Sequence, residues 1–161
     1  MSDFLAWLEG SSLGHAMRGA GVWTYGLVNL THILGVSSLF GSVLVLDLRL
    51  LGAWHRVPLD LIARPTVPLA TAGFVIAATS GICLITTNAT EYIGNPFLLI
   101  KFPAIAIGLV NVAVLSRLTA WTSRGTREPT PRERRQLAVA GAVSLLSWLM
   151  AMAAGRLIGY W

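Results

Sequence analysis

Four long apolar runs separated by short polar segments set the pattern of this chain. The first, Tyr25 to Leu51, reads YGLVNLTHILGVSSLFGSVLVLDLRLL; it carries one imidazole, His32, well inside and ends at Asp47 and Arg49. The second, PLATAGFVIAATSGICLITT, is entered through Arg64-Pro65 and Pro68, and the third starts after Asn95-Pro96. The fourth ends at Tyr160. A hydrocarbon core of about 30 Å takes roughly 20 apolar residues in a helix. Transmembrane helices are therefore predicted over about 21–46, 67–87, 97–118 and 137–160. Residues 1–19 are too short and too polar to span. Phe4, Leu5, Trp7, Leu8 and Leu13 alternate there with Asp3, Glu9, Ser11 and Ser12, which predicts an interfacial amphipathic helix weakened by Gly10 and Gly14. Thr130-Pro131-Arg132-Glu133 reads as an N-cap with proline at the first helical position. The expected fold is all-α: one membrane domain over 1–161, an integral four-helix transmembrane bundle preceded by the interfacial helix.

Composition agrees with that class. Apolar residues make up 55% of the 161 and charged residues only 12%, about half the charge of an ordinary soluble domain. The lone cysteine, Cys83, excludes an internal disulfide and any cysteine-rich metal site. The acidic start, with no separate apolar core, argues against a cleavable signal peptide.

The formal charge of +5 points to topology rather than to nucleic acid, because the arginines lie between the spans. Arg49, Arg56 and Arg64 fall in the first loop, and Arg117, Arg124, Arg127, Arg132, Arg134 and Arg135 in the third. The second loop, NATEYIGNP, holds Glu91 and no base. The positive-inside rule places both arginine-rich loops in the cytoplasm and both termini and the Glu91 loop outside, as in a multi-pass membrane protein. Tyr92, Tyr160 and Trp161 at one boundary, and Trp54 and Trp121 at the other, fit aromatic belts.

Helical spacing gathers polar and small residues into stripes. Tyr25, Asn29 and His32 share one arc of the first span; Gly73, Ala77 and Gly81 recur every four residues on the second, a pattern that lets backbones approach closely. Lys101, Ala104, Gly108 and Asn111 line the third, and Gly141, Ser144, Trp148, Met152 and Gly155 the fourth. At about 1.5 Å per residue, His32 lies roughly 15 Å below the outer end of its helix and Met152 about 12 Å below that of the fourth. Lys101 and Arg156 are about 6 Å deep, near enough to snorkel. Asp47 is expected to pair with an arginine such as Arg64 or Arg117.

An imidazole at mid-membrane needs a partner inside the protein. Three readings follow for His32. It is a ligand of haem b iron, with Arg18, Lys101 and Arg156 facing the propionates and Met152, or His32 of a second copy, as the other axial ligand. Or it is a hydrogen-bonded core residue, satisfied by Asn29, Asn111, Tyr25 or Ser144. Or it binds a quinone, with His32 or Lys101 on a carbonyl oxygen. No Ser-His-Asp arrangement, phosphate loop or HExxH motif points to a hydrolase.

The stretches HILGVSSLFGSVLVLDLRLLG, GFVIAATSGICLI and NPFLLIKFPAIAIGLVN resemble a family of small bacterial inner-membrane proteins of unknown function. More distantly, the architecture is similar to the cytochrome b561 and copper-resistance D group, whose bundles hold haem between paired histidines. That resemblance implies a redox setting, although this chain has one histidine within its spans. The leading expectation is a small electron-transfer or membrane-anchor component binding haem b or quinone around His32, as a homo-oligomer or within a larger membrane redox complex. The alternatives are a cofactor-free accessory subunit and, further off, a transporter of a small solute or metal.

Overall fold

The computed structural model describes residues 2–161. Its elements are α1 (Ser2–Glu9), α2 (Ser12–Gly19), α3 (Gly21–Leu50), α4 (Leu59–Thr87), a 3-10 turn at Ala89–Tyr92, α5 (Pro96–Arg117), the short α6 (Thr119–Thr122), α7 (Pro131–Leu157) and a closing 3-10 turn at Ile158–Tyr160. There is no strand among the described residues. Four helical stretches are long and apolar enough to cross a membrane: Gly21–Leu50, Leu59–Thr87, Pro96–Arg117 and Pro131–Tyr160. The fold is all-α and built on membrane-length helices.

Two boundaries differ from expectation. The N-terminal stretch is two helices rather than one. Ser11 accepts a hydrogen bond from the Gly14 amide at 3.2 Å and donates to the Leu8 carbonyl at 2.6 Å. Its hydroxyl thus ends one helix and caps the next. The second long helix starts at Leu59, with Pro65 and Pro68 inside it. Proline removes a backbone donor, but other contacts hold this first part of α4 helical. Arg64 pairs with Asp60 one turn earlier at 2.5 Å, Thr66 Oγ1 donates to the Ile62 carbonyl at 2.7 Å, and Leu59 and Ala63 are buried.

The chain divides into two compact units, and both α3 and α4 run through each. One unit takes the described residues up to Leu39 together with Thr71–Pro96. Its centre is an antiparallel crossing of α3 and α4. Cβ atoms built on Gly35 and Gly73 would stand 2.7 Å from the Ala77 nitrogen and 2.5 Å from the Leu39 nitrogen. Leu39–Gly73, Gly35–Ala77 and His32–Ser80 form one register, a helical turn forward on α3 matching a turn back on α4. At the far end α2 presses on α4, where a Cβ on Gly14 would meet the Thr86 carbonyl at 2.8 Å.

The other unit takes Phe40–Ala70 and Phe97–Trp161. Its core joins Leu46 and Leu50 of α3, Leu59 and Ala63 of α4, Leu115 of α5, Ala120 of α6, and Leu137 and Ala140 of α7. Thr130 and Glu133 form the full capping box at the start of α7, with Pro131 in the first turn as the sequence predicts. Arg127 braces it, pairing with Glu133 at 2.6 Å.

Candidate functional site

His32 is half-buried on α3, facing α4. Its Nδ1 lies 2.9 Å from the Ala77 carbonyl oxygen and 3.1 Å from Ser80 Oγ. Ser80 donates its only hydroxyl proton to the Ile76 carbonyl at 2.5 Å. Both groups facing Nδ1 are therefore acceptors, so Nδ1 carries the proton and donates to them. In a neutral ring Nε2 then holds the lone pair. Room for the ring comes from Gly81, where a Cβ would stand 3.1 Å from His32 Cε1.

Three α4 residues thus position one imidazole. Ala77 supplies a carbonyl, Ser80 a hydroxyl oxygen, and Gly81 the absence of a side chain. The every-fourth-residue spacing of Gly73, Ala77 and Gly81 signals the close approach from sequence. Ser80 carries no such signal, since it lies beside that stripe. A serine on a membrane helix ordinarily bonds its own preceding turn, and Ser80 does so while also accepting from His32.

The remaining predicted site residues fall as follows. In the unit that holds His32, Asn29 is exposed and so is Tyr25. Arg18 donates through Nη1 to the Thr87 carbonyl at 3.0 Å and the Thr86 carbonyl at 3.4 Å, and through Nη2 to the Glu9 carbonyl at 2.8 Å. It lies on the last carbonyls of α4, where a cation complements the helix dipole. Beside it, the Glu9 carboxylate accepts from the Thr90 amide and hydroxyl, each at 2.7 Å. Those two bonds hold the Glu9 carboxyl below its ordinary range.

In the other unit, Asn111 is buried and donates through Nδ2 to the Ala140 carbonyl at 2.9 Å. Lys101 lies across Gly155, with Nζ 3.4 Å from where a Cβ would stand. Arg156 stacks over the Tyr160 ring, 4.6 Å from its centroid, and donates to the Tyr160 hydroxyl. Met152 is exposed, and Trp148 packs its ring on Gly108. Asp47, expected to pair with an arginine, is instead buried against α7, where Ser144 lies beside its carboxylate. Arg64 is engaged by Asp60, and α7 comes so near α3 that a Cβ on Gly141 would stand 3.1 Å from the Asp47 carbonyl oxygen. Among the described residues, no three His, Cys, Asp or Glu side chains converge on a common point.

The fold and this site define a multi-pass membrane protein in which one oriented imidazole is held between two helices. The chain belongs to the family of unknown function DUF6644, whose model matches residues 4–161. No curated protein matches it, and neither does any solved structure.

Proposed function

We propose that this protein is a small electron-transfer or membrane-anchor component that binds haem b or a quinone around His32. One observation carries the reading: the Nδ1 proton of His32 is committed to the Ala77 carbonyl and Ser80 hydroxyl oxygens. Metal-ligating histidines characteristically donate their other ring N–H to a carbonyl, which fixes the tautomer and raises the basicity of the ligating nitrogen. A haem iron held at Nε2 would ask this donor pattern of the protein. The same lone pair accepts from a quinol hydroxyl; with its proton on Nδ1 the neutral ring does not donate to a quinone carbonyl, the contact expected of His32 from the sequence. When bound, haem supplies one-electron redox chemistry. The protein's part is to hold the ring at a set angle and keep its proton on the α4 side.

The chain's setting in this reading is the bacterial inner membrane, with the arginine-rich loops in the cytoplasm and both termini outside. The contrast between those loops and the one carrying Glu91 supports that orientation. A second copy or a larger redox complex supplies whatever completes the coordination. The absorbance spectrum of detergent-purified protein, expressed with ample haem, tests the reading. A Soret band that disappears in His32→Ala is expected for haem, and retained quinone in a solvent extract for the other ligand. A colourless preparation that yields no quinone overturns both.

A second reading has its own observation. The His32 bond to α4 sits in register with Gly35 and Gly73, as polar glue would at a tight helix crossing. In that case the chain is a cofactor-free accessory subunit, and His32→Ala weakens the fold by about 1 kcal/mol without any spectroscopic change.

A further inference from the structure

A groove of about 430 Å³ runs between α5 and α7, and its chemistry changes from one end to the other. Asn111, Val114 and Leu118 line one wall at helical spacing, and Val139 and Ala140 stand opposite. At the end nearest the start of α7 the lining becomes Arg132, Arg135 and Gln136. Arg132 to Ala140 spans about 12 Å along the helix at 1.5 Å per residue. The groove is thus roughly two turns long, apolar along its length and doubly basic at its mouth.

The arginines of this region are not equivalent. Arg124 faces Asp60 and stacks on Trp121, Arg127 pairs with Glu133, and Arg134 donates to the Pro129 carbonyl. Among the described residues, Arg132 and Arg135 make no ion pair and no side-chain hydrogen bond. They sit in the first two turns of α7, where the helix dipole adds positive potential. Arg132 and Arg135, held by neither an acid nor a carbonyl, both line the mouth of the groove.

From this juxtaposition we infer that the α5–α7 groove binds one anionic glycerophospholipid, its phosphodiester between Arg132 and Arg135 and an acyl chain along Val114, Leu118 and Val139. Charge complementarity selects the headgroup. The apolar walls belong to two membrane-length helices and select a lipid over a free anion. Val114 and Val139 are exposed apolar surface that the chain would cover. This inference is independent of any ligand at His32.

Native mass spectrometry of the detergent-purified full chain, titrated with phosphatidylglycerol or phosphatidylcholine of the same acyl length, tests it. Each basic residue near an anionic headgroup contributes about a fivefold preference, so R132Q/R135Q should weaken phosphatidylglycerol binding about thirtyfold, toward the phosphatidylcholine level. R56Q, on an exposed loop outside the groove, should leave it unchanged. V139W fills the groove while keeping both charges, and should displace either lipid. Equal binding of the two lipids overturns the assignment, as does an R56Q loss matching that of R132Q/R135Q. Full binding in V139W, with displacement by millimolar inorganic phosphate, would identify a free-anion site and overturn the lipid. Unchanged circular dichroism and melting of the variants exclude unfolding as the cause of any loss.

Discussion

Gly73 stands so close to Leu39 that a Cβ on the glycine would lie 2.5 Å from the leucine backbone nitrogen. Backbone faces backbone there, so no rotamer change relieves the clash. Gly35, one turn away in the register, meets the Ala77 nitrogen in the same manner. Overpacking of this kind costs about 1–3 kcal/mol. Gly73→Ala and Gly35→Ala should each lower stability by that amount in a denaturant titration followed by tryptophan fluorescence. Gly26 and Gly41 lie on α3 with nothing within 4 Å of where a Cβ would stand. Alanine at either should be neutral or stabilise by up to about 1 kcal/mol. Equal effects at all four positions would remove the tight crossing from the account.

The orientation of the His32 ring makes a separate claim. Because Ser80 spends its proton on Ile76, Nδ1 of His32 is the donor. In protein with selectively nitrogen-labelled histidine, the His32 Nδ1 resonance should be of the protonated type and Nε2 of the lone-pair type. Ser80→Ala should keep that tautomer, since the Ala77 carbonyl at 2.9 Å remains as acceptor. Gly81→Ala should move both resonances, because its Cβ would press on Cε1 at 3.1 Å and displace the ring by a few tenths of an ångström. A protonated Nε2 with unprotonated Nδ1 would contradict the geometry.

What is legible in the sequence follows from which interactions are local. The four long helices show as apolar runs, and the start of α7 shows as an N-cap threonine followed by proline at Thr130-Pro131. His32 stands out because a polar side chain among apolar ones is conspicuous, and Gly73-Ala77-Gly81 announces a close approach. What faces these residues is not legible. Arg18 reaches carbonyls 68 and 69 positions away, at Thr86 and Thr87, and no local spacing encodes that. Charge alone sets Asp47 opposite an arginine, but Asp60 takes Arg64 within one helical turn, and Ser144 is brought alongside by the Gly141 contact. The prolines at 65 and 68 read as a boundary by intrinsic preference, and tertiary burial of Leu59 and Ala63 overrides it.

The Glu9–Thr90 contact predicts a pH response at the N-terminal helices. The Glu9 carboxyl is held below its ordinary value, chiefly by the Thr90 hydroxyl and then by the Thr90 amide. The ionised form is therefore bound more tightly in the folded chain than in the unfolded one. Its contribution is fully present above the ordinary glutamate range near 4.5 and is lost as pH falls through the lowered folded value. The Thr90 amide proton, followed by NMR, should hold its shift through neutral pH and titrate only below that range. Glu9→Gln should abolish the titration and leave the His32 resonances in place. A midpoint above the ordinary glutamate value would show that the carboxylate is not engaged.

Asp47 and Ser144 give the last test. Asp47 is only 2% exposed, and its Oδ2 is buried without a hydrogen-bond partner. The Ser144 side chain lies beside the carboxylate. Ser144→Ala should cost about 1–3 kcal/mol, since it strands a polar group already short of partners. Asp47→Asn removes the charge at nearly constant shape, so it should cost less than Ser144→Ala or stabilise outright. The two changes touch one contact and should not add. In the Asp47→Asn background, Ser144→Ala should lose less than it does alone, because a neutral amide tolerates the missing hydroxyl better than a carboxylate does. Unfolding titrations of both single variants and the double variant measure that coupling, and strict additivity would place Ser144 outside the carboxylate's environment.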